Sequence, residues 1–434
     1  MHEQQLTEIS QQLKQVVGHA ALRRLGDDSG FVIRERTITA DRFIPSLIKS
    51  LAARDVETIA DLVRDFNFDH GLAVHYKPYY EKLDTPCFPR MMKAVFQTML
   101  DELCLQVLAP LRSGPFARFL DIEIQDGSSF ALHDGLADAF AGRFTTVSPA
   151  AVELHCTMSL FSDNLTTVTM TGDAECERHH LPDPKELRAK LLMADRGYDS
   201  TEYMLAVDQE GGFFLIRLRK CLNPRVITIH RRGKRYRKLE GRLLHAVLRG
   251  LRKDEPVDMD VCREDDDGEL RCFFRLVVSW NPAKKEWVRL MTNLDRKNFS
   301  TEDILQAYRL RWQIELLFKE LKSYANLHKF STTKEPIAEG LIWASLAAAF
   351  LKRYLAHACQ RVCGRPISTR RAAMCGHHIV TSIFASLKRR FRDLAERLRD
   401  AFEFLCHNAS RSRPGRDRER GRLALGLKLA GVPA

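Results

Sequence analysis

With 434 residues, 45% of them hydrophobic and 29% charged, the chain is ample for a buried core and too long for one simple domain. Its net charge of +12 suits a polyanionic partner, and its longest apolar run, Leu341 to Leu351, is too short to span a bilayer. The polar start Met1-His-Glu-Gln-Gln does not read as a signal peptide, and eleven scattered cysteines, an odd number, argue against a disulfide framework; a cytoplasmic location with reduced thiols is expected.

Residues 1–115 read as a helical region, with helices over Leu6 to Leu25, Asp41 to Ala53 and Phe88 to Val107. Asp55 to Leu83 fits two readings. One is a helix-turn-helix bent around Phe66 to Gly71, which would bring Lys77 and Lys82 to DNA; the other is an ordinary helical lobe. Residues 116–218 turn strand-rich. Phe119 to Ile124 alternates apolar and polar residues as a strand does, and Gly127 with the two serines after it signals a tight turn just beyond Asp126. Leu154 to Phe161 and Leu165 to Thr171 read as a hairpin, and Pro182 to Leu192 as a helix. It leads into the buried strand Leu191 to Ala194, which ends at Asp195. Phe213 to Lys220 is a strand with a basic end that carries Arg217 and Arg219.

Residues 219–294 change texture. Short strand-like runs (Val226 to His230, Val257 to Cys262, Cys272 to Trp280) alternate with charged turns such as Glu264-Asp-Asp-Asp-Gly268, and a strand bearing Trp287 closes this β-rich insertion. Ser300 with Asp303 opens a helix within residues 295–335 as a variant capping box. Residues 336–407 are helical again, over Ile337 to His357, Ser368 to Leu387 and Phe391 to Cys406. Residues 408–434 form a basic tail, polar and punctuated by Pro and Gly, that is expected to be mobile. Basic residues cluster at Arg231, Arg232, Lys234, Arg235, Arg237 and Lys238, and again from Lys388 through Arg422. Cys359-x3-Cys363 and Cys375-Gly-His377-His378 match no familiar zinc spacing and read as helical core cysteines.

The densest chemistry lies in Tyr308 to Lys322, Y-R-L-R-W-Q-I-E-L-L-F-K-E-L-K, strong helix formers with no Gly or Pro. At about 100° per residue, Tyr308, Arg311, Glu315 and Lys322 share an arc of roughly 60°. A phenol, a guanidinium, a carboxylate and an ammonium thus form one stripe, which can lend an acid to a metal and cations to phosphates.

The pattern Y-x2-R-x3-E-x6-K resembles the signature of the insertion-sequence-four group of bacterial transposases, which use an Asp-Asp-Glu triad on a ribonuclease-H-like fold. Asp126, in D-I-E-I-Q-D-G-S-S-F, and Asp195, in L-L-M-A-D-R-G-Y, resemble the group's first and second acidic motifs. Its members usually carry Asp-Gly-Thr where this chain has Asp-Gly-Ser, and the hydroxyl is kept. The fold implied is a ribonuclease-H-like mixed α/β sheet with flanking helices, interrupted by the β-rich insertion and joined to helical N- and C-terminal regions.

The resemblance implies a DNA transposase that binds the terminal inverted repeats of its element, cleaves phosphodiesters and directs the 3′-hydroxyl ends at target DNA. A homodimer or larger assembly on DNA is expected, because two ends must join one target. Asp126, Asp195 and Glu315 would hold two Mg2+ ions, with Mn2+ as a substitute; such ions about 3.5–4 Å apart activate a nucleophile and stabilise the leaving oxyanion. Asp126 would bridge the pair. Tyr308, Arg311 and Lys322 would touch phosphates, Arg217 could do so too, and Trp287 would stack on a flipped base or else pack in the core. Asp121, Glu123, Asp134, Asp199 and Glu320 compete for the acidic roles and read as solvated or locally paired. A metal-dependent nuclease of the same fold fits these residues as well. A DNA-binding protein that no longer cleaves fits less well, since the triad is intact.

Overall fold

The computed structural model describes residues 3–32, 37–53, 56–231, 233–264, 271–327, 331–387, 391–413, 415 and 422–430. Helices α1 (Glu3–Val17), α2 (His19–Asp28), α3 (Ala40–Ala52), α4 (Ile59–His70), α5 (Tyr76–Leu83) and α6 (Cys87–Glu102) precede the sheet. Helices α7 (Thr201–Gln209), α8 (Lys234–Arg237) and α9 (Leu244–Gly250) lie between strands. Helices α10 (Thr301–Arg309), α11 (Trp312–Tyr324), α12 (Glu335–Cys363), α13 (Thr369–Cys375), α14 (His377–Leu387) and α15 (Phe391–Asn408) follow. The strands are β1 (Leu108–Pro110), β2 (Ile122–Ala131), β3 (Ala141–Phe144), β4 (Ser148–Ser159), β5 (Asn164–Gly172), β6 (Leu191–Ala194), β7 (Phe213–Arg217), β8 (Arg225–Ile229), β9 (Val257–Glu264), β10 (Arg271–Asn281), β11 (Glu286–Thr292) and β12 (Leu427–Leu429).

One large sheet runs β3-β4-β2-β6-β7-β11-β10-β9-β8, with β5 also paired to β4. Strands β5, β4 and β2 form an antiparallel meander, and β6 and β7 then continue parallel to β2. This is the ribonuclease-H-like arrangement, with helices packed on the sheet. The strands of the 219–294 segment do not fold apart from it. β11 pairs antiparallel with β7, and β10, β9 and β8 extend the same sheet outward.

Strand periodicity sorts the side chains between two cores. Leu191, Met193, Leu215 and Leu290 point into the larger core, while Leu192, Ala194, Phe214, Ile216 and Met291 point into a smaller one on the opposite face. The helical regions at the two ends of the chain share the larger core. Helix α12, buried along most of its length, packs against α6 and α3, and α1 packs against α15. Among the described residues, no helix is long and apolar enough to cross a membrane.

Local structure departs from expectation at Pro182 to Leu192 and in the basic tail. Pro182 to Leu192 is a single 3-10 turn, Pro184–Leu187, rather than a helix, because the chain must extend again by Leu191 to enter β6. Residues 56–83 have a helix-turn-helix outline. Thr58 closes a capping box on α4, and Gly71 ends that helix at φ 60°, a left-handed conformation that glycine adopts at little cost. Lys82, however, donates to the Phe31 carbonyl at 2.7 Å, while Lys77 is exposed. The far end of the basic tail is docked: β12 pairs with β1, and buried Arg422 lies 2.8 Å from Asp163 Oδ1. Asp55, Arg232, Lys388, the acidic turn 265–268, and residues 414 and 416–421 of the arginine run lie outside the described residues.

Candidate active site

The two aspartates meet through strand register. Gln125 of β2 is opposite Ala194 of β6 in a parallel pair, so Asp126 and Asp195 occupy the next positions side by side. Neighbouring strands lie about 4.8 Å apart. Asp195 follows the last residue of β6, and the chain leaves in a 3-10 turn, Arg196–Tyr198. Asp126 shares strand parity with Ile122 and Ile124, and Asp195 with Leu191 and Met193, so both acids emerge on the larger core's face. Contrary to the turn expected at Gly127, β2 runs unbroken to Ala131, and Asp126 lies mid-strand. A Cβ at Gly127 would stand 2.4 Å from Glu153 Oε1, the movable end of that side chain.

The third acid arrives on a broken helix. Ser300 and Asp303 form the expected capping box of α10, but the run to Lys322 is not continuous. At the junction Leu310 N–H donates to Ala307 O (2.9 Å), Arg311 N–H to Tyr308 O (3.2 Å) and Gln313 N–H to Leu310 O (2.9 Å). Leu310 and Arg311 keep right-handed helical torsions, so the chain tightens into 3-10 bonding without changing hand. Tyr308 thus sits at the end of α10, Arg311 at the junction and Glu315 in the first turn of α11.

Arg311 ties the constellation together. Its Nη1 donates to Asp126 Oδ2 at 2.6 Å and its Nη2 to Glu315 Oε1 at 3.0 Å. The Tyr308 hydroxyl lies 3.3 Å from both the Ala194 carbonyl and Asp195 Oδ1. Arg217 Nη1 approaches Asp195 Oδ1 at 3.8 Å, while its Nη2 donates to Glu286 Oε1 at 2.8 Å. Burial pushes the Asp126 carboxyl up to about 6; Arg311 opposes the rise, and Glu315 and Asp195 add to it. Burial also works against the charge on Arg311, yet Asp126 and its other neighbours hold the guanidinium more firmly protonated than usual. Burial, with Asp195 nearby, likewise keeps the Tyr308 phenol protonated.

The family model for the transposase DDE domain matches residues 124–351, more than half of the chain. The chain belongs to the DDE transposase family. It is similar to the transposase for insertion sequence element IS421 of Escherichia coli, 45% identical over 64 residues, a match covering 15% of this chain and 17% of that one. Its similarity to two Bacillus thuringiensis subsp. finitimus transposases is longer and lower. That for IS231E is 24% identical, covering 61% of this chain and 62% of the relative; that for IS231D is 22% identical, covering 79% and 78%. Among solved structures, a piggyBac transposase synaptic complex with hairpin DNA aligns over 92% of this chain and 84% of that one, at 13% identity and TM-score 0.46.

The DDE transposase family works with divalent metal ions, and the acids here suit one. The donor set is three carboxylates, hard oxygen ligands, and a guanidinium already lies in the fork between two of them. Among the described residues no three carboxylate oxygens lie mutually within 4.8 Å. Two ions do not require that spacing, because the acids at either end of the pair need not touch.

Lys322 is exposed on α11, seven residues beyond Glu315. Trp287 is half-buried against the smaller core and forms an edge-on pair with Trp280 at 5.4 Å between ring centroids. The competing acids have partners of their own. Asp121 accepts from Ser159 Oγ at 2.6 Å, Glu123 pairs with Lys190 at 2.7 Å, fully buried Asp199 pairs with Arg263, and Glu320 pairs with Arg353 at 3.1 Å. Asp134 is exposed at a 3-10 turn.

Two neighbours escaped the sequence reading. Glu286 anchors Arg217 and pairs with Lys220, which holds its carboxyl below the usual range; its sequence signal is only its place beside Trp287. Glu153 lies behind β2, where burial and then Glu177 push its carboxyl up to about 7. The alternation along β4 marks it as facing away from Asp126, but nothing in the sequence marks it as near.

Proposed function

We propose that this protein is the DNA transposase of an insertion sequence of the insertion-sequence-four group. It binds the terminal inverted repeats of its element, cleaves the strand ends and joins the 3′-hydroxyls to target DNA. The observation that carries this reading is the convergence of Asp126 and Glu315 on one half-buried guanidinium, with Asp195 beside Asp126 on the next strand. Asp126, Asp195 and Glu315 would hold two Mg2+ ions, for which Mn2+ substitutes, and these supply nucleophile activation and oxyanion stabilisation.

The protein's own groups set the stage. Arg311 balances two carboxylates and keeps them from repelling apart in the resting protein, and its planar fork suits a DNA phosphate. Tyr308, held protonated, fixes the orientation of Asp195 as a hydrogen-bond donor. Arg217, steadied by Glu286, adds positive charge at the Asp195 side, and exposed Lys322 offers a mobile point charge to the backbone farther along. Trp287 has a partly open ring on which a displaced base could stack. The working form is a homodimer or larger assembly on DNA in the bacterial cytoplasm.

Supercoiled plasmid carrying matched element ends, incubated with the protein and Mg2+, tests the reading. Joined strand-transfer products that disappear in Glu315→Gln support it. Random nicking without joined products would identify a nuclease, and binding to ends with no cutting in Mg2+ or Mn2+ a non-cleaving DNA-binding protein.

A further inference from the structure

Far along the chain from the acids, two helices of the helical lobe meet at three cysteines. Cys359 and Cys363 lie four positions apart on α12 and so on one face of it, and Cys406 comes from α15. Their sulfurs all lie within 4.8 Å of one another, and Cys359 Sγ is 3.8 Å from Cys406 Sγ. All three are free thiols. Two thiolates that share a tetrahedral Zn2+, each at about 2.3 Å, stand roughly 3.8 Å apart, so this spacing already matches a metal-bound pair. The Cys375-Gly-His377-His378 segment does not join the group; α15 supplies the third sulfur.

The surroundings differ from those of ordinary core cysteines. Cys359 is fully buried, with its sulfur 3.4 Å from the Phe402 carbonyl. Cys363 and Cys406 are only half-buried, so one side of the cluster is open to solvent, both as an entry path and for a further ligand. Thiolate, not thiol, binds metal.

We propose that Cys359, Cys363 and Cys406 form a binding site for one thiophilic d10 cation, Zn2+ or Cu+, which clamps α12 to α15. Binding displaces the three thiol protons. Zn2+ would take solvent as its fourth ligand on the open side, whereas Cu+ is satisfied by the three sulfurs. Soft sulfur donors select a different ion from the hard carboxylates of Asp126, Asp195 and Glu315, so the two sites do not compete for metal.

The test uses the full-length chain, reduced and stripped of metal, with Co2+ as an optical probe. One equivalent of Co2+ is expected to give an intense sulfur-to-cobalt charge-transfer band. Cys363→Ser and Cys406→Ser should each weaken Co2+ binding at least tenfold, and the double variant should lose the band. Cys104→Ser, at an exposed thiol on another segment, should keep it. Displacement of Co2+ by Zn2+ at one equivalent assigns zinc, and displacement by Cu+ alone assigns copper. Metal should raise the melting temperature of the wild type but not of the double variant, whose metal-free melt should match that of the stripped wild type. Absence of the band in the wild type, or its survival in the double variant, would overturn the proposal.

Discussion

Asp126→Asn should stabilise the metal-free protein at neutral pH even as it removes a proposed metal ligand. Burial holds the Asp126 carboxyl at about 6, against 3.8 for an unperturbed aspartate. At about 1.4 kcal/mol per tenfold, that gap is a penalty of about 3 kcal/mol on the folded state whenever the group is charged. The sign follows from proton uptake. Above pH 6 both folded and unfolded chains carry the charge, and the folded one bears the full penalty. As pH falls from 6 toward 3.8 the native state takes up a proton that the unfolded chain does not, and the penalty fades. An asparagine carries no charge at any pH, and its amide oxygen can still accept from Arg311.

The variant should therefore be more stable than wild type by up to about 3 kcal/mol at pH 7.5 in chelator, with the difference vanishing near pH 4. Other titrating groups are common to both proteins and largely cancel. Urea unfolding followed by tryptophan fluorescence from pH 4 to 8 measures it. A variant less stable than wild type at pH 7.5, or a difference that does not narrow on acidification, would refute the reasoning.

Asp195→Asn and Glu315→Gln should each abolish cleavage while leaving affinity for element ends nearly intact, as read by gel-based cleavage and binding assays; cutting retained in either removes that residue from the triad. Gly127→Ala brings a methyl to within 2.4 Å of Glu153 Oε1, the far end of a side chain that can turn aside, so stability should change by no more than about 1 kcal/mol; a larger loss in urea unfolding contradicts this reading of the contact. Trp287→Ala should suppress the fluorescence rise of 2-aminopurine placed at the element end; an equal rise in variant and wild type leaves the ring a purely structural partner of Trp280.

The chemistry was more legible in the sequence than its geometry. The apolar run Leu191 to Ala194 is a strand in both readings, because four buried residues before an aspartate leave little else for the chain to do. The Tyr308–Arg311–Glu315 stripe survives the break at Leu310 because 3-10 bonding changes the rotation per residue by only about 20°. The break itself has no local cause in a run of strong helix formers; it follows from tertiary packing, with Leu310 buried and Arg311 drawn between two acids.

The Gly127 turn failed for a related reason. Asp-Gly-Ser is turn chemistry locally, but pairing of β2 with β4 through Ala131 overrides it. Nor could the sequence place Gln125 opposite Ala194, the register that brings the two aspartates together, or bring Arg422 of the C-terminal tail to Asp163. Such long-range pairings leave no periodic trace.

The most direct test of the central claim is anomalous diffraction from crystals of the protein with Mn2+ and a cleaved element end. Manganese density in contact with Asp126, Asp195 and Glu315, with the Arg311 guanidinium moved out from between Asp126 and Glu315, is the predicted result. Arg311 still bridging those two acids, with the manganese bound elsewhere or not at all, would contradict it.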